Sequence, residues 1–152
     1  MFEINVTRIV KSSIEDSFLY LCNLENDPEW WTGVVEVKCL SDTPYGVGVK
    51  YWQKNRLMGL HFLMTIEITE FQMNEKMSFK SISQTLAPFV ATYLFKPTEK
   101  GTELTMLGFS KADGLFFKLL GPIFKFYLRI LAEKNFDNLQ QILDAKIKAY
   151  AG

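Results

Sequence analysis

The sequence predicts an α+β fold, a curved antiparallel sheet of about seven strands wrapped around one long C-terminal helix. Three observations carry that prediction. The last third, 113–150, repeats apolar residues at Leu120, Phe124, Leu128, Leu131, Leu139, Ile142 and Leu143, which is helical spacing. The middle of the chain alternates apolar with polar residues, as strands with one buried face do. The breaks between those strands are short, about two to six residues, which joins neighbours into an antiparallel meander. A sheet with one apolar face needs a cover, and the terminal helix is the longest apolar helical surface in the chain.

Phe2 to Lys11 opens the chain as a strand, with Phe2, Ile4, Val6 and Val10 on one face. Ser12 and Ser13 precede Glu15 and Asp16, an N-cap followed by acids that suit the positive end of a helix. Ile14, Phe18, Leu21 and Cys22 then define a short helix ending near Asn23. Asp27 is expected to cap a second short helix, with Pro28 in its first turn and Gly33 as its stop. A strand follows at Val34 to Leu40, then turn chemistry from Ser41 to Gly46.

Val47 to Leu57 is expected to turn Val49, Tyr51, Gln53, Asn55 and Leu57 to one side. After a turn at Met58-Gly59, Leu60 to Phe71 turns Leu60, Phe62, Met64, Ile66 and Ile68 inward. Strands are expected at Lys76 to Ser83, Phe89 to Lys96 and Thr102 to Ser110. Gln84–Pro88 is expected to be a loop and Pro97–Gly101 a turn. Gly121-Pro122 should bend or break the terminal helix, leaving a movable entrance segment before it.

At 152 residues the chain suggests one domain, 1–152. Thirteen Phe and six Met fit either a Phe-rich core or an apolar cavity. Seventeen basic and seventeen acidic residues cancel, which removes the electrostatic footprint of a general nucleic-acid binder. Cys22 and Cys39 are too few for a disulfide scaffold and read as reduced thiols in a cytoplasmic protein. The opening residues have no apolar h-region. The stretch 114–132 is nearly of bilayer length, but Lys118, Lys125, Arg129 and Gly121-Pro122 argue against a spanning helix.

The order strand, two short helices, meander and long helix resembles the START-like superfamily, also called SRPBCC or helix-grip proteins. Within it, the polyketide cyclase/dehydrase and lipid-transport group is most similar. The stretches that carry the resemblance are FEINVTRIVKSSIEDSFLYLCN (2–23), NDPEWWTGV (26–34), FVATYLFKPTEKGTELTMLGFS (89–110) and FDNLQQILDA (136–145). The resemblance implies a cavity between sheet and terminal helix that takes lipids, polyketides or other apolar molecules. It implies no universal catalytic residue.

His61 is the lone histidine, and its neighbours in the alternation, Thr65 and Glu67, put it on the outer sheet surface, away from any triad. Glu67 and Glu70, an odd number of residues apart, are expected on opposite faces and make no acid/base pair. No metal-ligand cluster and no nucleotide motif is present, so no cofactor or metal is expected. The informative residues are polar ones on the apolar face: Tyr51, Gln53, Asn55, Ser81, Ser83 and Tyr93 on strands, and Asn135 on the helix. Buried polar groups need a neighbour, a water or a ligand. With Phe62, Met64, Phe79, Phe124 and Leu128 they are expected to line a polar-tipped apolar pocket. Trp30, Trp31, Phe116 and Phe117 are placed at its entrance.

Three functions fit. The first is binding of a small hydrophobic or amphipathic ligand. The second is a cyclase/dehydratase-type enzyme in which Tyr93 or Tyr51 polarises a carbonyl. The third is an interaction or co-chaperone-like module, with Leu63, Val90, Leu94 and Leu107 as an outer-face surface or homodimer contact. Lys111, Lys118, Lys125 and Arg129 share one helical side opposite Phe116, Leu120, Ile123, Phe124 and Tyr127. That apolar side is expected to be core; a peripheral membrane contact is the alternative.

Overall fold

Alternation and turn chemistry produce seven strands in one antiparallel sheet. The computed structural model describes residues 2–57, 59–82, 88–110 and 115–151. Its elements are β1 (Phe2–Val10), α1 (Ile14–Cys22), a 3-10 turn (Leu24–Asn26), α2 (Asp27–Trp30), β2 (Val34–Cys39), β3 (Lys50–Leu57), β4 (Leu60–Gln72), β5 (Lys76–Ser81), β6 (Phe89–Thr98), β7 (Gly101–Ser110) and α3 (Leu115–Ala151). The strand order is β1-β7-β6-β5-β4-β3-β2, so β2 to β7 form a meander and β1 closes onto β7. The α+β helix-grip arrangement expected from the sequence is therefore present.

The core lies on one face of this sheet. Val6, Tyr51, Ile66, Ile68, Met77, Tyr93, Leu104 and Met106 are buried there. Phe18 of α1 sets its ring edge-on against Phe71 and Phe95, with centroids 5.3 and 4.8 Å away. Ser13 caps α1, accepting the Asp16 N–H at 3.1 Å as expected. The C-terminal half of α3 packs through Ala132, Asn135, Phe136, Leu139 and Leu143, all fully buried. Side chains fasten it to β1. Arg8 pairs with Glu133 and Asp137, Gln140 Nε2 donates to the Ile9 carbonyl at 2.7 Å, and the Lys11 N–H donates to Asp144 Oδ1 at 2.7 Å.

Several local expectations need correction. Of the bend or break expected at Gly121-Pro122, the break is absent: α3 runs through Pro122. Asp27 does not cap α2; Asn26 holds that position, with no side-chain hydrogen bond, and Asp27 is buried. The third strand begins at Lys50, because Gly46 and Gly48 take positive φ and the chain is still turning there. Pro97 continues β6 opposite Thr102. A bulge between Ile68 and Glu70 shifts the alternation of β4. Phe71 then faces the core, and Glu70 joins Glu67 on the outer face. Leu120, Ile123 and Tyr127, expected in the core, are exposed. The inward arc of this part of the helix is set by Phe124, Leu128 and Leu131, all half-buried. Ser83, Lys111, Met58 and the loop at 84–87 lie outside the described residues.

Candidate functional site

Among the buried polar side chains, four come from β3 and α3. The alternation of β3 turns Tyr51, Gln53 and Asn55 inward, and all three are buried. Their partners across the sheet are Ile66, Met64 and Phe62 on β4, and Cys39, Val37 and Val34 on β2. Asn135 enters from α3, one turn before Leu139, and is 0% exposed.

The corner between α2 and β2 connects these residues. The Thr32 N–H donates to Asn135 Oδ1 at 3.1 Å, and Asn138 Nδ2 donates to the Trp30 carbonyl at 3.4 Å. Trp30 also sets its ring edge against Phe136, 5.6 Å between centroids. Gly33, at φ 107°, lets the backbone turn where a Cβ would sit 2.9 Å from the Arg56 carbonyl oxygen. The Arg56 N–H donates to the Gly33 carbonyl at 2.7 Å, so this corner is held next to Asn55. Asn55 and Asn135 each keep a buried side-chain NH2 with no hydrogen-bond partner. An unmet buried donor costs about 1–3 kcal/mol, so each of these NH2 groups calls for an acceptor.

Asp27 is the polar residue that the sequence reading missed as part of this interior. It is 6% exposed, its Oδ1 has no partner, and the buried Trp30 Nε1 is likewise unmet. Burial pushes the Asp27 carboxyl well above the usual carboxylate range, and the Trp30 indole N–H, near it but outside hydrogen-bond geometry, opposes this only in part. Among the described residues the buried polar set contains no Lys, Arg or His to offset a charge there. Burial, then the field of Asp27, raises the Tyr93 hydroxyl and the Cys22 thiol in turn. The detectable signal was helical spacing. Leu24 and Trp30 flank Asp27 at three residues on either side, which puts it on the apolar stripe.

The other expected residues fall as follows. Met64, Phe79 and Tyr93 are buried, and the Phe79 ring meets Tyr93 at 5.4 Å and Phe89 at 6.1 Å. Phe62, Ser81, Phe124 and Leu128 are half-buried. The Ser81 hydroxyl accepts the Phe89 N–H at 3.1 Å, and Tyr51 donates its hydroxyl to the Pro44 carbonyl. Both groups are thus committed to the fold. Trp30 is core, whereas Trp31 is half-buried and edge-on to it at 5.4 Å. Phe116 and Phe117 belong to α3, but their side chains lie outside the described residues. His61 is exposed on the outer face. No three His, Cys, Asp or Glu side chains cluster among the described residues.

A seven-stranded sheet that holds a long C-terminal helix, with two short helices after its first strand, is a helix-grip fold. Among solved structures, the TTHA0849 protein of Thermus thermophilus superposes with a TM-score of 0.81 at 16% identity, covering 95% of this chain and 98% of that one. The di-domain ARO/CYC protein StfQ of the steffimycin biosynthetic pathway superposes at 0.75 with 14% identity, over 96% of this chain and 52% of its own. SA2116 of Staphylococcus aureus, a protein of unknown function, gives 0.73 at 15% identity, over 96% of this chain and 95% of its own. No family model and no curated protein matches the sequence. Identities this low establish the fold alone.

Proposed function

We propose that the protein binds a small hydrophobic or amphipathic molecule, of lipid, polyketide or aromatic type, between the sheet and α3. One observation supports this reading: the side-chain NH2 groups of Asn55 and Asn135 are buried and unmet in a core that also buries Met64, Phe79, Tyr93 and Phe136. A ligand with an apolar body and a carbonyl or hydroxyl at one end supplies what both sides lack. A cytoplasmic setting belongs to the same proposal. The free thiols Cys22 and Cys39 support it.

The test is native mass spectrometry of the gently purified protein, followed by titration with an apolar fluorescent dye. The expected result is one saturable site, weakened about tenfold by Asn55→Leu or Asn135→Leu. Absence of both a co-purified molecule and a saturable dye site overturns the reading.

A second reading, a cyclase/dehydratase-type enzyme, draws on Asp27. A buried carboxyl kept neutral can donate a hydrogen bond to a substrate carbonyl, with Tyr93 nearby in the same interior. The likeness to ARO/CYC structures supports the choice of substrate class to try. Turnover of a poly-β-ketone that is unchanged by both Asp27→Asn and Tyr93→Phe sinks it.

A further inference from the structure

The N-terminal half of α3 differs from the half clamped to β1. Leu119, Ile123, Phe126 and Ile130 are 70%, 69%, 66% and 51% exposed. Their spacing of four, three and four residues gathers them into an arc of roughly 60° on the helix. Leu120 and Tyr127, also exposed, widen that arc on one side to about 120°. Lys118, Lys125 and Arg129 are exposed as well and form a row roughly 110° round from its centre. Leu128 and Phe124 point the other way and are half-buried. The helix thus shows solvent an apolar stripe with a cationic row along one edge.

The charge pattern selects what covers that stripe. From Leu115 to Ala132 the sequence has no Asp or Glu. The next acids, Glu133 and Asp137, are engaged by Arg8. Glu3 shares a shallow groove with Lys125 and Arg129, but no ion pair joins them among the described residues. A second copy of the chain set face to face here brings three cations, Lys118, Lys125 and Arg129, against the single carboxylate of Glu3, so like charge outweighs opposite charge. An anionic lipid surface accepts both features, with apolar side chains at the acyl boundary and cations among the headgroups. The helix does not cross such a layer, because no described helix is long and apolar enough to span a membrane.

We propose that α3 docks the protein on anionic membranes, lying in the interface plane through Leu119, Ile123, Phe126 and Ile130, with Lys118, Lys125 and Arg129 on the headgroups. The proposal stands apart from the ligand reading, since it uses only outward-facing residues and bare vesicles test it.

The experiment is co-sedimentation of the full chain with vesicles of phosphatidylcholine alone or mixed with phosphatidylglycerol. The expected result is binding to the mixed vesicles that falls with salt. Lys125→Gln with Arg129→Gln should lower the partition coefficient about thirtyfold. Ile123→Ser with Phe126→Ser should abolish binding, with melting temperature and elution volume unchanged because both side chains are largely exposed. Wild-type protein that stays in the supernatant with both vesicles overturns the proposal, as does binding that neither variant weakens. A dimer in solution that Ile123→Ser with Phe126→Ser dissociates, without vesicle binding, also overturns it and assigns the stripe to a second copy.

Discussion

Asp27 is a carboxyl in a place where a carboxylate is costly, and that makes it a measurable group. The folded protein holds its proton more tightly than the unfolded chain does. Its contribution to stability is therefore complete below the unfolded carboxylate value of about 3.9 and is lost as pH rises toward the folded value. Asp27→Asn should match the wild type near the lower limit and gain on it above, by about 1.4 kcal/mol per pH unit. Paired denaturant melts across pH check this; a difference that stays flat with pH rules out a buried neutral Asp27. Gly33→Ala should cost about 1–3 kcal/mol, because its φ of 107° and the Arg56 carbonyl leave no room for a Cβ. Chemical denaturation measures it. At this scale the sequence was informative wherever strict alternation held. Gln53 and Asn55 read correctly as inward because side-chain period fixes a face. Asp27 did not, since Asp before Pro is equally the composition of an exposed helix start, and the spacing of Leu24 and Trp30 on either side was the one signal against it.

Elements were legible where local pattern and tertiary packing agree. The seven strands, the cap on α1 and the order of elements follow from residues close in sequence. The bulge in β4 was hidden because Thr69 and Glu70 are both polar, so the extra residue leaves no gap in the pattern. The continuity of α3 was hidden because an interior proline removes a backbone donor and reads locally as a helix stop. The helical repeat of 118–131 was read correctly, but periodicity cannot say which of two apolar arcs faces the sheet. The attachment of α3 to β1 centres on Arg8, whose guanidinium pKa is raised chiefly by its hydrogen bond to Glu133. Arg8→Ala should destabilise the protein by about 1 kcal/mol, less at high salt, as partly exposed ion pairs do. Hydrogen exchange should then rise along β1 and at 133–144 more than in β4 and β5; uniform exchange across the sheet contradicts a local clamp.

For the whole molecule, the pairing of β1 with β7 sets a timetable. Arg8 lies opposite Leu104, and Ile9 meets Gln140, so the first strand's neighbours are made near the end of the chain. During synthesis, β2 to β6 can form hairpins as they emerge, with Phe18 of α1 on Phe71 and Phe95, but the part of the sheet beneath α3 stays uncovered until residues 132–143 follow. The protein therefore completes its fold late, and part of the sheet's apolar face meets water until the terminal helix arrives. Nascent chains held on the ribosome with residues up to about 125 exposed should be cut readily by protease, whereas the released full chain resists. The same closure that gives the sheet its cover makes the unfinished protein a client for whatever guards exposed apolar strands in the cell.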